Sequence, residues 1–305
     1  MQNKTMFESM RLATGGGLKD LTEKVKQAEN TFSLVIGIGG TGFSALSTLR
    51  EEVYEQVEPD GFDGEKPIYN HIRFLQIDSD RESARGLDAS EFFYMGREPF
   101  ALPIPRDEPW FRWLNKDTTV DDARQGAGGV RQAGKLLLLA DARELYNAIS
   151  IAIRNGVSGL NARFNINVYV MAGIGGGTGS GCFIDVCYIV QQVLSDLGYY
   201  GNTYISGFFF LPDVNLALGH FPTRPAYQDT VKTNGYAALQ ELDYLMGIPE
   251  NGGRYEQQYN ANFKISMAKP PVSPNLCYLI SAEQWKAQYP KTETIMLCVL
   301  WRNIY

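Results

Sequence analysis

The sequence is poor in the residues that build metal sites and disulfide frameworks. Its 305 residues include only two histidines and four cysteines. No two cysteines form a C-x-x-C pair, and His71 and His220 lie far from all four along the chain. We therefore expect neither a structural zinc site nor a disulfide framework, since these need clustered ligands or paired cysteines.

Long apolar runs and an excess of positive charge are also missing. The chain has no run of 18 apolar residues, and its N-terminus has no apolar segment of signal-peptide length. We therefore expect no membrane span and a cytoplasmic location. With 28 basic and 34 acidic residues, the net charge is −6. This balance argues against direct binding to nucleic acid, because a duplex attracts a basic surface.

Strand-like and helix-like segments alternate along the middle of the chain. Five segments rich in β-branched and aromatic residues predict strands, at 32–38, 71–77, 167–172, 203–211 and 275–281. The segments between them carry apolar residues at helical spacing. This alternation predicts an α/β fold, with a Rossmann-like parallel sheet and helices on both of its faces.

Three glycine clusters stand where a predicted strand ends or a helix begins. We name them loop A (37–42, GIGGTG), loop B (126–129, GAGG) and loop C (175–181, GGGTGSG). Glycine permits tight turns, and backbone amides exposed in such turns bind anions together with a helix N-terminus. Ligands of open α/β sheets bind outside the carboxyl ends of the strands. Three such loops in one sheet therefore predict a shared polyphosphate site.

Loop A alone also fits G-x-G-x-x-G, the fingerprint of dinucleotide-binding enzymes. That fingerprint requires an acidic residue at a strand end about 20 positions later. Glu55 and Glu58 lie in or just after a predicted helix, and Asp78 is too distant without an insertion. An oxidoreductase that uses NAD(P) or FAD is the alternative function, and it leaves loop C without a role.

The run at 129–135 (GVRQAGK) has the spacing of a P-loop. However, Leu136 stands where a Ser or Thr must ligate magnesium, and no predicted strand precedes the run. We interpret it as a helix with two small residues.

Loop C matches, at every position, the glycine-rich phosphate loop of the tubulin/FtsZ superfamily, (Ser/Ala/Gly)-G-G-T-G-(Ser/Ala)-G, and the chain resembles that superfamily. Loop A resembles its first nucleotide loop, and 77–80 (IDSD) resembles the V-N-T-D of FtsZ. Residues 126–135 resemble G-A-G-x-x-x-x-x-G-R, with Lys135 in place of arginine. The resemblance covers roughly 32–246, and the longer insertion makes the chain most like the divergent bacterial tubulin-like proteins.

The resemblance implies a GTPase domain of the tubulin/FtsZ type that binds GTP or GDP with Mg²⁺. Loop A would approach the α- and β-phosphates, loop C would hold the β- and γ-phosphates, and loop B would sense the γ-phosphate. We expect a side chain introduced at Gly177 to fill the place of a phosphate. The nucleotide-binding residues implied are Gly39, Gly40, Thr41, Gly42, Asp78, Ser79, Asp80, Gly126, Ala127, Gly128, Gly129, Gly175, Gly176, Gly177, Thr178, Gly179, Ser180 and Asn234.

Two of these residues have alternative interpretations. Asp80 is a candidate for positioning magnesium-bound water, and equally a candidate N-cap for the RESARGL segment that follows it. Asn234 resembles an asparagine of tubulin that lies near the nucleotide. The competing interpretation, which we favour, is a helical asparagine that faces solvent.

The resemblance also implies GTP-dependent head-to-tail filaments with hydrolysis at the interface between subunits. The superfamily's long central helix and the acidic loop after it are not recognisable here, and too few residues follow Ser281 to hold both. Catalytic residues are therefore not assigned, and guanine specificity rests on the resemblance alone. A nucleotide-binding scaffold without hydrolysis is a second alternative.

The expected domain organisation has three parts. Residues 1–31 are polar and predict an N-terminal helical extension, and 32–285 form the GTPase domain. An insertion near 88–120 is rich in aromatic residues and proline, and we expect it to pack in a small cluster of its own. The last eleven residues (IMLCVLWRNIY) are an apolar segment without a helix cap, so residues 286–305 suggest the start of a truncated following segment.

Overall fold

A computed structural model describes most of the central part of the chain. The described residues are 30–64, 66–96, 111, 113–115, 127–160, 164–199, 201–217 and 225–282. Residues 1–29 of the predicted N-terminal extension, most of the predicted insertion and the C-terminal segment 286–305 lie outside these residues. The proposed domain boundaries therefore stay predictions.

The described chain alternates strands and helices, as the sequence predicts. The strands are β1 (Thr31–Ile38), β2 (Gly61–Asp63), β3 (Lys66–Ile68), β4 (Ile72–Asp78), β5 (Phe92–Tyr94), β6 (Asn165–Gly173), β7 (Thr203–Phe210), β8 (Tyr255–Asn260), β9 (Phe263–Met267) and β10 (Cys277–Ile280). The helices are α1 (Gly39–Gln56), α2 (Arg131–Val157), α3 (Thr178–Asp196), α4 (Pro212–Ala217), α5 (Pro225–Met246) and α6 (Ile248–Asn251). A 3₁₀ turn spans Arg81–Ala84.

The main sheet has six strands in the order β10-β7-β6-β1-β4-β5, and all its neighbouring strands are parallel. Apolar side chains of β1 alternate between its two faces, with Leu34 and Ile36 in one core and Val35 in the other. Helices α2, α3 and α5 pack in the first core, and α1 packs in the second. The predicted α/β fold with helices on both faces is confirmed. None of the described helices combines the length and the apolar character needed to cross a bilayer.

The five predicted strands correspond to β1, β4, β6, β7 and β10, with ends shifted by at most two residues. The sequence analysis missed the edge strand β5 and the antiparallel pairs β2–β3 and β8–β9. The expectation of a separate cluster in the insertion is wrong for its described residues. Phe93, Phe111 and Leu114 pack in the main core, because β5 joins the sheet beside β4.

The strand order reverses direction next to β1. From β1 the chain proceeds to β4 and β5 on one side, and then returns to β6 on the other side. The register pairs Ile38 at the end of β1 with Ala172 near the end of β6. The segments after these two strands therefore begin side by side, at the point where open α/β sheets form their ligand crevice.

The packing of α2 against β1 leads to a test of stability. A Cβ atom at Gly156 would lie 1.9 Å from Cε2 of Phe32, whose side chain is fully buried. We expect Gly156→Ala to lower the free energy of unfolding by about 1–2 kcal/mol, because overpacking outweighs the gain in helix propensity. Gly159→Ala is the control, since open space surrounds that position and the change should stay within about 0.5 kcal/mol. Urea unfolding of both variants measures the difference, and equal stabilities would contradict the described packing.

Candidate functional site

The three glycine loops line one cavity at the carboxyl ends of β1 and β6. Its volume is about 700 Å³, and it also reaches the residues after β4. Gly40 of loop A and Gly177 of loop C both line it, together with Gly128 of loop B. The predicted convergence of the loops on a common cavity is confirmed.

The N-termini of α1, α2 and α3 begin at loops A, B and C. Their N-cap residues are Ile38, Val130 and Gly177, and none of the three has a side-chain cap hydrogen bond or an acidic residue in its first turn. Such uncapped ends leave backbone N–H groups free and carry partial positive charge. The first turns of α1 and α3 line the cavity, which therefore lies against two helix ends that favour an anion.

Further amides of the loops lack partners within the described part of the chain. Those of Gly128 and Gly129 in loop B, and of Gly176 and Gly177 in loop C, make no hydrogen bond there. A Cβ atom at Gly40, Gly128 or Gly176 would meet nothing within 4 Å, so these positions face open space. Unpaired donors beside open space fit a ligand that is rich in acceptor oxygens.

Loop A approaches loop C closely at Gly39. This residue has a φ of +69°, and a Cβ atom on it would lie 3.0 Å from the amide nitrogen of Gly179. Glycine is required here, because other residues rarely adopt this conformation. The two loops can therefore contact one ligand together.

Gly177 differs from the sequence-based expectation. A Cβ atom on it would lie 2.9 Å from Cβ of Ala127 and 3.0 Å from the amide nitrogens of Gly129 and Val130. A side chain at Gly177 would therefore push loop B away from loop C. The expectation that it would simply fill the place of a phosphate is therefore wrong, whereas Gly40 and Gly176 face open space.

Ser79 connects the end of β4 to two of the loops. Its hydroxyl lies 2.8 Å from Oγ1 of Thr178 in loop C and accepts a hydrogen bond of 3.1 Å from the amide of Ala127 in loop B. Both contacts are buried. The amide of Ala127 is thus already used by the protein, while the amides of Gly128 and Gly129 are not.

Two asparagines hold Gly175 of loop C from opposite sides. Asn215 accepts a hydrogen bond from the amide of Gly175 at 3.3 Å and donates one to Oγ1 of Thr41 at 2.7 Å. Asn234 donates to the carbonyl oxygens of Gly129 at 2.8 Å and of Gly175 at 3.0 Å. The interpretation of Asn234 as a solvent-facing residue is wrong, because its side chain is buried and braces loops B and C.

The two aspartates after β4 have different roles. Asp78 is buried, and its oxygens accept hydrogen bonds from the amides of Ser79 and Asp80 and from the hydroxyl of Ser83. Burial raises the pKa of Asp78, although these hydrogen bonds act in the opposite direction. Asp80 accepts a hydrogen bond of 3.0 Å from the amide of Glu82, so the N-cap interpretation is confirmed.

The P-loop spacing at 129–135 does not produce a phosphate-binding lysine. The run enters α2, and Lys135 forms an ion pair of 3.0 Å with the buried Asp185 of α3. The hydroxyls of Tyr255 and Tyr259 donate to the same carboxylate. The helix interpretation of this run is confirmed.

Most of the implied nucleotide-binding residues line the cavity. Those that do are Gly39, Gly40, Thr41, Asp78, Ser79, Asp80, Ala127, Gly128, Gly129, Gly176, Gly177, Thr178 and Gly179. Gly42, Gly175, Ser180 and Asn234 lie behind this layer and do not line it. Gly126 lies outside the described residues.

The sequence analysis missed several lining residues. They are Ile38, Phe43, Ser44, Glu82, Ser83, Arg85, Gly173, Asn215 and Tyr227. Phe43 and Ser44 directly follow loop A. Glu82, Ser83 and Arg85 closely follow the motif at 77–80. Proximity to these motifs in the sequence could therefore have identified all five as lining residues. Asn215 and Tyr227 belong to α4 and α5, and no motif marked them.

Known proteins can now be compared with this geometry. A family model described as tubulin-like matches residues 103–305, which include loops B and C. The chain is similar to the solved structures of an FtsZ dimer from M. jannaschii (20% identity, 74% of this chain, 46% of that chain, TM-score 0.41) and of GDP-bound CetZ1 from Haloferax volcanii (15%, 68%, 47%, 0.41). It is also similar to a GTPγS-form TubZ protofilament from Bacillus thuringiensis serovar israelensis (13%, 72%, 43%, 0.40).

The chain spans less than half the length of each of these three solved proteins. The comparison with curated proteins finds no match. The tubulin-like family model, in contrast, covers more than half of this chain. The protein therefore belongs to the tubulin-like family.

Proposed function

We propose that the chain binds GTP in the cavity shared by loops A, B and C, and that GTP binding drives head-to-tail assembly of its copies. The observation that carries this proposal is the convergence of unpaired backbone amides from two glycine loops and the uncapped ends of α1 and α3 on one cavity. Membership of the tubulin-like family supports a guanine nucleotide as the occupant.

Backbone groups carry most of the phosphate binding in this proposal. Loops A and C contain no lysine or arginine. The amides of Gly176 and Gly177 and the first turns of α1 and α3 supply the donors and the positive ends of helix dipoles. Thr178 adds a hydroxyl that lines the cavity. Donors fixed in place before the ligand arrives need no reorganisation on binding.

The lining residues fit Mg²⁺ held mainly by the phosphates. Mg²⁺ prefers oxygen ligands and usually takes one or two carboxylates together with phosphates and water. Asp80 would hold it with the oxygen that does not cap the 3₁₀ turn, since the oxygens of Asp78 and the hydroxyl of Ser79 already have hydrogen-bond partners. Within the described ranges, no group of three or more His, Cys, Asp or Glu residues could hold a metal ion. The ion would neutralise charge on the phosphates.

Hydrolysis is assigned to the contact between copies. Phosphoryl transfer depends on positioning and on stabilising the charge of the γ-phosphate. In this proposal the cavity supplies both, and the next subunit supplies the group that activates water. A head-to-tail contact of this kind is heterologous and continues into a filament.

The alternative of a dinucleotide-dependent oxidoreductase gains no support. The placement of loop C in the same cavity as loop A disfavours it, because that function leaves loop C without a role.

The two open glycine positions give a direct test of the binding site. We expect Gly40→Val and Gly176→Val each to lower the affinity for GTPγS by about tenfold or more, because the new side chain projects into space that a phosphate needs. Gly201→Val is the matched control, as its Cβ also meets open space but lies outside the cavity. Isothermal titration calorimetry measures the affinities. Wild-type affinity in both cavity variants would contradict the assignment.

The hydroxyl of Thr178 offers a smaller, quantitative test. Thr178→Ala should weaken GTPγS binding by about 1 kcal/mol, or roughly fivefold, since one hydrogen bond is lost. Thr230→Ala is the control, because that hydroxyl bonds only to the exposed first turn of α5. The same calorimetric titration measures both. An unchanged affinity for Thr178→Ala would show that its hydroxyl does not contact the nucleotide.

Assembly is tested by sedimentation of the purified protein. We expect it to pellet with GTP and not with GDP, and phosphate release to rise more steeply than the protein concentration, because the active site forms between copies. Tight GTP binding without pelleting or phosphate release would contradict assembly and support the non-hydrolysing scaffold. The absence of any bound guanine nucleotide would contradict the whole proposal.

A further inference from the structure

The side-chain charges around the cavity are unevenly distributed. Among the described residues that line it, three carry carboxylates, namely Asp78, Asp80 and Glu82. Arg85 is the single cationic side chain in that set. A nucleoside triphosphate brings several further negative charges, and like charges at close range repel each other. Among the described lining side chains, Arg85 is therefore the one whose charge attracts a polyphosphate.

Arg85 is only weakly held in the described structure. Its guanidinium pairs with Glu82 three residues earlier, and the two side chains are 80% and 66% exposed. Exposed pairs of this kind contribute little to stability, because water screens them and both long side chains lose freedom. Exchange of Glu82 for a stronger anionic partner therefore costs little.

The backbone that carries Arg85 is fixed to the cavity wall. The amide of Arg85 donates to the carbonyl of Glu82 at 3.2 Å, which closes the 3₁₀ turn Arg81–Ala84. Asp80 caps this turn, and the hydroxyl of Ser83 bonds to the buried Asp78 at 2.6 Å. The exposed guanidinium of Arg85 thus extends from a turn whose backbone is held to the cavity wall by hydrogen bonds.

The same turn begins beside the loops assigned to the terminal phosphate. It follows directly from Ser79, whose hydroxyl contacts Ala127 of loop B and Thr178 of loop C. The family resemblance assigns these two loops to the γ-phosphate. Arg85 lines the same cavity and follows Ser79 by six residues, so the end of the cavity that the resemblance assigns to the γ-phosphate lies at the start of its own turn.

We propose that Arg85 leaves Glu82 and pairs with the γ-phosphate of a bound nucleoside triphosphate, so that it distinguishes GTP from GDP. This inference rests on the proposed function. The planar guanidinium matches two phosphate oxygens at once, and such charge-assisted pairs are about twice as strong as neutral hydrogen bonds. With a diphosphate the γ-phosphate is missing, and Arg85 keeps its pair with Glu82.

The main experiment measures the affinities of wild type and Arg85→Ala for GTPγS and for GDP with the full chain. We expect the affinity for GTPγS to fall about tenfold and that for GDP to change less than about threefold, because only the triphosphate gains the charged contact. The salt dependence of GTPγS binding should also become shallower in the variant, since one ionic contact is lost.

Matched variants separate this contact from a general effect on the turn. Arg81→Ala removes an arginine from the same turn, but Arg81 packs over the ring of Tyr94 at 4.7 Å and does not line the cavity. Its affinities should equal those of wild type. Arg85→Lys keeps the charge without the planar fork and should bind GTPγS with intermediate affinity. Glu82→Gln removes the competing carboxylate and should raise the affinity for GTPγS, but not when combined with Arg85→Ala.

The possible results distinguish a failure of the role proposed for Arg85 from a failure of the proposed function. A wild-type protein that binds neither GTPγS nor GDP contradicts the proposed function itself. If wild type binds both and Arg85→Ala binds GTPγS equally well, the role of Arg85 is refuted while the function stands. Equal losses for GTPγS and GDP would also overturn the inference, because Arg85 would then not read the γ-phosphate.

Discussion

The parallel pairing of β1 with β6 is the constraint on which the site depends. The two strands run in register to nearly the same level, and the strand order reverses between them. Loops A and C must therefore begin side by side, although more than a hundred residues separate them in the chain. Their glycines allow a closer approach than side chains would permit, as at Gly39 and Gly179. The cavity follows from this contact, and loop B and the end of β4 complete its wall.

Buried polar side chains keep the loops in place around this contact. Ser79, Asn215 and Asn234 are all less than 9% exposed, and each bonds to at least two loop residues. A buried polar group without a partner costs free energy, so these side chains favour one arrangement of the loops. Ser79 and Asn215 also accept hydrogen bonds from the amides of Ala127 and Gly175, whereas the amides of Gly176 and Gly177 have no partner among the described residues. Two buried side chains thus separate the structural donors of the loops from the available ones.

Local signals made the fold and the inner surface of the site predictable. Strands with continuous apolar runs and glycine clusters at their ends are visible in a short window of sequence. Asn215 and Tyr227 reach the cavity from α4 and α5, and their placement depends on tertiary packing that no short motif records. Asn234 did carry a usable signal, because it follows Val231 by three positions and precedes Ala238 by four, on the buried face of α5. β5 escaped prediction because it has only three residues, and β8 (YEQQYN) and β9 (FKISM) escaped it because polar residues interrupt any apolar run.

The attachment of Gly175 to Asn234 has a mechanical consequence. Asn234 sits within α5, a helix of 22 residues that is about 33 Å long. A shift of loop C by an ångström would stretch the hydrogen bond from Asn234 beyond its working range, in a place where water cannot replace it. Loop C and this helix therefore favour moving together, because separating them would leave a buried polar group without its partner.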